Sequence, residues 1–100
     1  MSFAKTEMQV IVWGTDRGIV QNSTPMAQAL KTQEELNELR DAIAKGDRAE
    51  MADAYGDILV TLVMGCACAD LDLVECFKGA YEEIKDRKGY LNSDGIFVKQ

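Results

Sequence analysis

The sequence has no histidine, a single proline and only three cysteines, and it is short of positive charge, with 11 basic residues against 17 acidic ones. Without histidine or a fourth cysteine, one chain lacks the ligands of an ordinary structural zinc site. Three thiols (Cys66, Cys68 and Cys76), an odd number with no export signal, read as buried and inert. They fit a reducing compartment, so a cytoplasmic location is expected. One proline and eight glycines leave little room for a many-turned β fold. A net charge of −6 argues against binding to nucleic acid, whose phosphates need Lys and Arg neighbours. It does not argue against a nucleotide that arrives with a metal ion, because the ion changes the sign of the site. No basic segment followed by an apolar stretch opens the chain, so no signal peptide is expected. The longest nearly uncharged run, Ile58 to Ala69, is shorter than the roughly 20 residues that a bilayer requires. It reads as a buried helix, with no membrane partner.

What is present is globular in composition, 47% hydrophobic and 28% charged, and it reads as one domain over residues 1–100. Ser2 can cap a first helix running to about Arg17, with Met8, Ile11 and Val12 on its apolar face. Gly14 and Gly18 weaken its end, and Arg17 to Thr24 reads as an irregular link. Thr24-Pro25 is a strong start signal for a second helix reaching about Ala44, which Lys45-Gly46 stops. Asp47-Arg48-Ala49-Glu50 has the capping-box pattern. The third helix it opens runs to about Asp70 and is apolar nearly all round after Asp57, so it should be the most buried element. Asp72 with Glu75 repeats the box for a fourth helix, with Val74, Phe77, Tyr81 and Ile84 on one side and Gly89 at its stop. The tail, Tyr90 to Gln100, combines an Asn-Ser-Asp-Gly turn with the β-like run Ile96-Phe97-Val98 and reads as extended. The expected fold is all-α: a four-helix bundle completed by oligomerisation, because the third helix is more apolar than a small monomer buries.

Two acidic clusters organise the chain. Glu34, Glu35 and Glu38 share a stripe of the second helix, and Glu50, Asp53 and Asp57 follow at i, i+3 and i+7 on the third. Like charges at this spacing repel one another, and a divalent metal ion offsets the repulsion specifically. Mg²⁺ and Mn²⁺ prefer hard oxygen ligands, which two facing helices can supply one turn apart. Glu35 and Glu38 opposite Asp57 give the best geometry. Asp57 opens the apolar run, where a carboxylate is costly unless paired or metal-bound. Read differently, the same stripes are solvated faces that keep a helical adaptor or oligomerisation module soluble. No loop of alternating Asp/Asn with Gly, as in an EF-hand, is present.

Glu34-Glu35-x-x-Glu38 on one helix, then Asp57 before an apolar run on the next, resembles the MazG-like all-α nucleotide pyrophosphohydrolases. The resemblance extends from about Asn22 to Gly89. It includes Gln28-x-x-Lys31, Ala54-Tyr55-Gly56-Asp57-Ile58 and Lys85-Asp86-Arg87-Lys88-Gly89, and the short chain is similar to small phage-encoded members. One position departs: the family usually has Glu three residues before the Asp matching Asp57, where this chain has Ala54. Asp53, one residue earlier, could substitute with a small rotation; otherwise the site would use Glu34 as an extra ligand or bind one metal ion fewer.

The resemblance implies hydrolysis of a (deoxy)nucleoside triphosphate between its α and β phosphates, giving monophosphate and pyrophosphate. It implies Mg²⁺, with Mn²⁺ as a substitute, held by Glu34, Glu35, Glu38, Asp53 and Asp57. Glu38 or Glu34 would orient the attacking water as base. Lys31, Lys78 and Arg87 become candidates for phosphate contacts, although each also fits ordinary helix-surface pairing. Trp13 becomes a candidate platform for the base, with Tyr81 a weaker one; a core aromatic is the other reading of Trp13. The partners implied are the nucleoside triphosphate and further copies of the chain, as dimer or tetramer.

Overall fold

Four polar side chains open the four long helices, as their spacing predicts. In the computed structural model, which describes residues 2–100, Ser2 Oγ accepts the Lys5 N–H at 3.1 Å and starts α1 (Phe3–Asp16). A single turn, α2 (Ile19–Asn22), follows. Thr24 Oγ1 accepts the Ala27 N–H at 3.0 Å, and Pro25 takes the first position of α3 (Pro25–Lys45). Gly46 closes α3 in the left-handed conformation, φ 70°, where a side chain would be strained. Asp47 then accepts the Glu50 N–H at 3.0 Å and starts α4 (Arg48–Cys68). Asp72 caps α5 (Leu73–Ile84) through the Val74 N–H rather than that of Glu75.

Packing follows the hydrophobicity of α4. It touches α1, α2, α3 and α5, whereas α3 packs on α4 alone. The two long helices form an antiparallel hairpin whose register is fixed by Thr32 and Thr61, with hydroxyl oxygens 2.7 Å apart. Thr32 also reaches the Gln28 carbonyl at 2.8 Å, and Thr61 the Ile58 carbonyl at 2.7 Å. Each hydroxyl has one hydrogen, so two protons serve three contacts. Leu39 and Ala42 of α3 and Ala54, Val63 and Met64 of α4 are the buried apolar residues.

Several elements differ from the sequence reading. Gly14 does not loosen α1: a side chain there would run into the buried Met64 thioether, so glycine permits the close approach of α1 to α4. The link after α1 contains the turn α2, entered through Gly18 at φ 76°. Helix α4 ends at Cys68, two residues early, and α5 ends at Ile84 instead of running to Gly89. Gly89 begins a strand, β1 (Gly89–Leu91), paired antiparallel with β2 (Phe97–Lys99). A Cβ at Gly89 would meet the Val98 carbonyl and the Phe97 ring. The Asn92 carboxamide oxygen accepts the N–H groups of Asp94 and Ile96, each at 3.0 Å, and folds the turn. The extended tail is thus a hairpin that supplies its own partner strand.

The bundle is open. Helix α4 is central, but Leu59 and Leu62 remain 43% and 37% exposed, and no residue of α5 is buried. By length and composition α4 is also apolar enough to cross a bilayer. Asp53 and Asp57 within it weigh against that, since a carboxylate at mid-membrane costs about 2.5–3.5 kcal/mol.

Glu7 escaped the sequence reading. It lies on α1, is 7% exposed, and its Oε2 accepts the Val74 N–H at 3.0 Å. It thereby ties α1 to the N-terminus of α5, where negative charge is favourable. Glu7→Ala is expected to lower stability by about 1–2 kcal/mol, a fall of several degrees in Tm by circular dichroism. An unchanged Tm would show the contact to be idle.

Candidate metal centre

The antiparallel register sets Glu35 of α3 beside Asp57 of α4, one turn from the level of Thr32 and Thr61. Glu35 is 8% exposed, and its Oε2 is buried without a hydrogen-bond partner. Its other oxygen lies 3.8 Å from Lys31 Nζ, which also reaches Glu34 Oε2 at 3.7 Å. Burial raises the Glu35 pKa above its ordinary value. The close approach of the Glu38 side chain, and the negative charges of Glu38 and Asp57, raise it further, against the smaller opposing pull of Lys31. An unpartnered buried carboxylate oxygen costs stability, and these neighbours aggravate the cost.

The remaining acidic residues surround this group unevenly. Glu38 is exposed and lines a cleft of about 340 Å³ with Asp41, Lys45, Glu50, Asp53 and Ala54. Asp53 and Asp57 both border a second cleft of about 430 Å³, lined along α4 also by Leu59 and Val60 and from α1 by Phe3, Glu7 and Val10. Glu34 is exposed and pairs with Lys31. Ala54 is buried, so the position at which the resemblance leads one to expect Glu faces the helix interface, and Asp53 lies beside it on the cleft. Among the described residues, no three such side chains converge closely enough to cage an ion. The donors nevertheless fit one: hard carboxylate oxygens, mutual repulsion, and a buried oxygen lacking any partner.

The proposed substrate contacts are not gathered in one chain. Lys31 is at the site. Trp13 is exposed, with the Arg17 guanidinium 4.8 Å from its ring centre. Its neighbour Gly14 meets Met64, two turns, or about 10 Å, along α4 from Asp57. Lys78 and Tyr81 lie on α5, which does not touch α3, and Lys78 pairs with Glu75 at 3.6 Å. Arg87 lies beyond α5, beside Lys88 and Lys99.

A protein of Haemophilus phage HP1, the uncharacterized 18.2 kDa protein in the rep-hol intergenic region, is 38% identical over 52 residues. That match covers 52% of this chain and 32% of the relative, so the chain spans about a third of its length. No solved structure matches. The MazG nucleotide pyrophosphohydrolase domain model matches residues 23–91, from the cap of α3 through α4 and α5 to the first strand of the hairpin. The chain belongs to the MazG nucleotide pyrophosphohydrolase family.

Proposed function

We propose that this protein hydrolyses a (deoxy)nucleoside triphosphate between its α and β phosphates and thereby controls a nucleotide pool in the cytoplasm. The observation that carries the reading is Glu35: a buried carboxylate with an orphaned oxygen, pressed against Glu38 and Asp57. Glu35, Glu38 and Asp57 would hold Mg²⁺ or Mn²⁺, with Asp53 and Glu34 completing the set. Bound there, the ion supplies charge neutralisation for the phosphates and a more acidic water. Glu38, exposed on the cleft, orients the water and accepts its proton, with Glu34 as the alternative base. Lys31, between Glu34 and Glu35, turns toward a phosphate oxygen once the carboxylates are otherwise engaged. The exposed apolar residues of α4 and α5 are covered in a dimer or tetramer. Lys78, Tyr81, Arg87 and Trp13 would then serve a site from a neighbouring copy.

Purified protein incubated with each NTP and dNTP plus Mg²⁺ is expected to release pyrophosphate and monophosphate, and to stop on adding EDTA. Orthophosphate as the product would assign a different bond. No turnover of any nucleotide would favour the adaptor reading, to which the open apolar face of α5 lends its support.

A further inference from the structure

Helix α1 is pinned to α4 where Gly14 meets the Met64 thioether. Toward its N-terminus it is tied to α5: Glu7 Oε2 accepts the Val74 N–H, and the Phe3 and Phe77 ring centres lie 6.1 Å apart. The cleft of about 430 Å³ between α1 and α4 is thus walled by helices fixed at both ends. Its volume falls within the roughly 300–1,000 Å³ of small-molecule sites. A Cβ added at Gly56, which lines the cleft from α4, would meet no atom within 4 Å, so the space above it is open.

Asp53 lines this cleft together with Asp57, and it also lines the acidic cleft that holds Glu38. The two clefts meet there but differ in chemistry. The acidic one carries Glu38, Asp41, Glu50 and Lys45. The other has apolar walls, Phe3 and Val10 from α1 and Leu59 and Val60 from α4. A nucleotide cut between its α and β phosphates lies with those phosphates at the metal-holding carboxylates, so its nucleoside starts one ester bond away. A base has two apolar faces and a polar edge, and of these two clefts the one between α1 and α4 suits it.

The polar groups that α1 adds to the cleft are Thr6 and Glu7. A carboxylate has no hydrogen to give, and Thr6 Oγ1 spends its own on the Ser2 carbonyl at 3.4 Å. Both therefore accept. Helix α1 also lies outside residues 23–91, so this wall comes from beyond the stretch that matches the family.

We infer that the cleft between α1 and α4 seats the nucleoside of the substrate, and that Glu7 selects bases bearing an amino group. Cytosine, adenine and guanine donate from that group to Glu7; thymine and uracil carry carbonyl oxygens instead, which a carboxylate repels. The inference rests on the catalytic reading above for the position of the phosphates, and adds the class of base.

The test is calorimetric titration of the full-length protein, in Mg²⁺, with α,β-imido analogues of dCTP, dATP, dGTP and dTTP, which bind without being cut. The three amino-base analogues are expected to bind at least about tenfold tighter than the thymine one, the scale of one hydrogen bond to a charged group. Gly56→Leu fills the cleft, and leucine favours a helix more than glycine does, so circular dichroism should be unchanged. Its affinity for the amino-base analogues should fall at least about tenfold, while Mg²⁺ alone still raises its Tm as in the wild type. Glu7→Gln keeps an oxygen for the Val74 N–H but adds a donor, and should lose most of the base preference. A folded Gly56→Leu that binds like the wild type, or a wild type that binds no analogue, would overturn the nucleoside seat. A preference for thymine, or none, would overturn selection by Glu7. Pyrophosphate release by the wild type keeps the catalytic reading in each of these events, whereas analogue binding without release from any nucleotide would overturn that reading and leave the cleft standing.

Discussion

Asp57→Ala is expected to lower metal-dependent pyrophosphate release at least about a hundredfold, the scale on which loss of a charge-stabilising group acts in an active site. Asp57 is half-buried at the head of the apolar run of α4, and its charge faces Glu35. Removing it takes away a donor that only α4 can supply, because Glu34, Glu35 and Glu38 all sit on α3. The fold should survive. Alanine is favourable in a helix, and losing the charge relieves repulsion on Glu35. The metal-free variant should therefore melt no lower than the wild type, which separates a lost site from a lost fold. Full activity in this variant would mean that the acidic residues beside Glu35 are not the centre.

Glu35→Gln should uncouple stability from both pH and metal. In the metal-free protein, burial holds the Glu35 pKa above its unfolded value of about 4.5, and Glu38 and Asp57 add to the shift. The sign follows from proton binding. Where the folded state holds the proton more tightly, the group's contribution is fully present below the unfolded pKa and is lost as pH rises through the folded one. In EDTA, the wild type should lose stability over that interval, and Glu35→Gln should lose less. At neutral pH the variant should be the more stable, by about 1–3 kcal/mol, the cost of an unsatisfied buried group. Mg²⁺ shifts the ranking toward the wild type. A ligand at 100 times its Kd stabilises the native state by about 2.7 kcal/mol, which the wild type gains and the variant loses. Melting curves with EDTA and with Mg²⁺ at several pH values measure all of this. Equal metal-induced shifts in the two proteins would remove Glu35 from the site.

The sequence by itself determined the parts governed by local chemistry. Ser2, Thr24, Asp47 and Asp72 announce helix starts because an N-cap is a one-residue event. Gly46 stops α3 because glycine tolerates positive φ. The acidic stripes were legible because helical spacing is periodic, and the MazG resemblance rested on their order along the chain. Other features belong only to the tertiary structure. Gly14 reads as a weak helix residue until Met64 is set against it. Gly89 reads as a helix stop until Phe97 folds over it. Glu7 is one more acidic residue until α5 brings the Val74 N–H to its carboxylate, 67 positions away. Which carboxylate is buried was decided by packing as well. Glu34, Glu35 and Glu38 share one stripe, but only the register of α3 on α4, pinned by Thr32 and Thr61, takes Glu35 out of water and leaves the others in it. Spacing along one helix places side chains on a face; a second helix decides how deep each one lies.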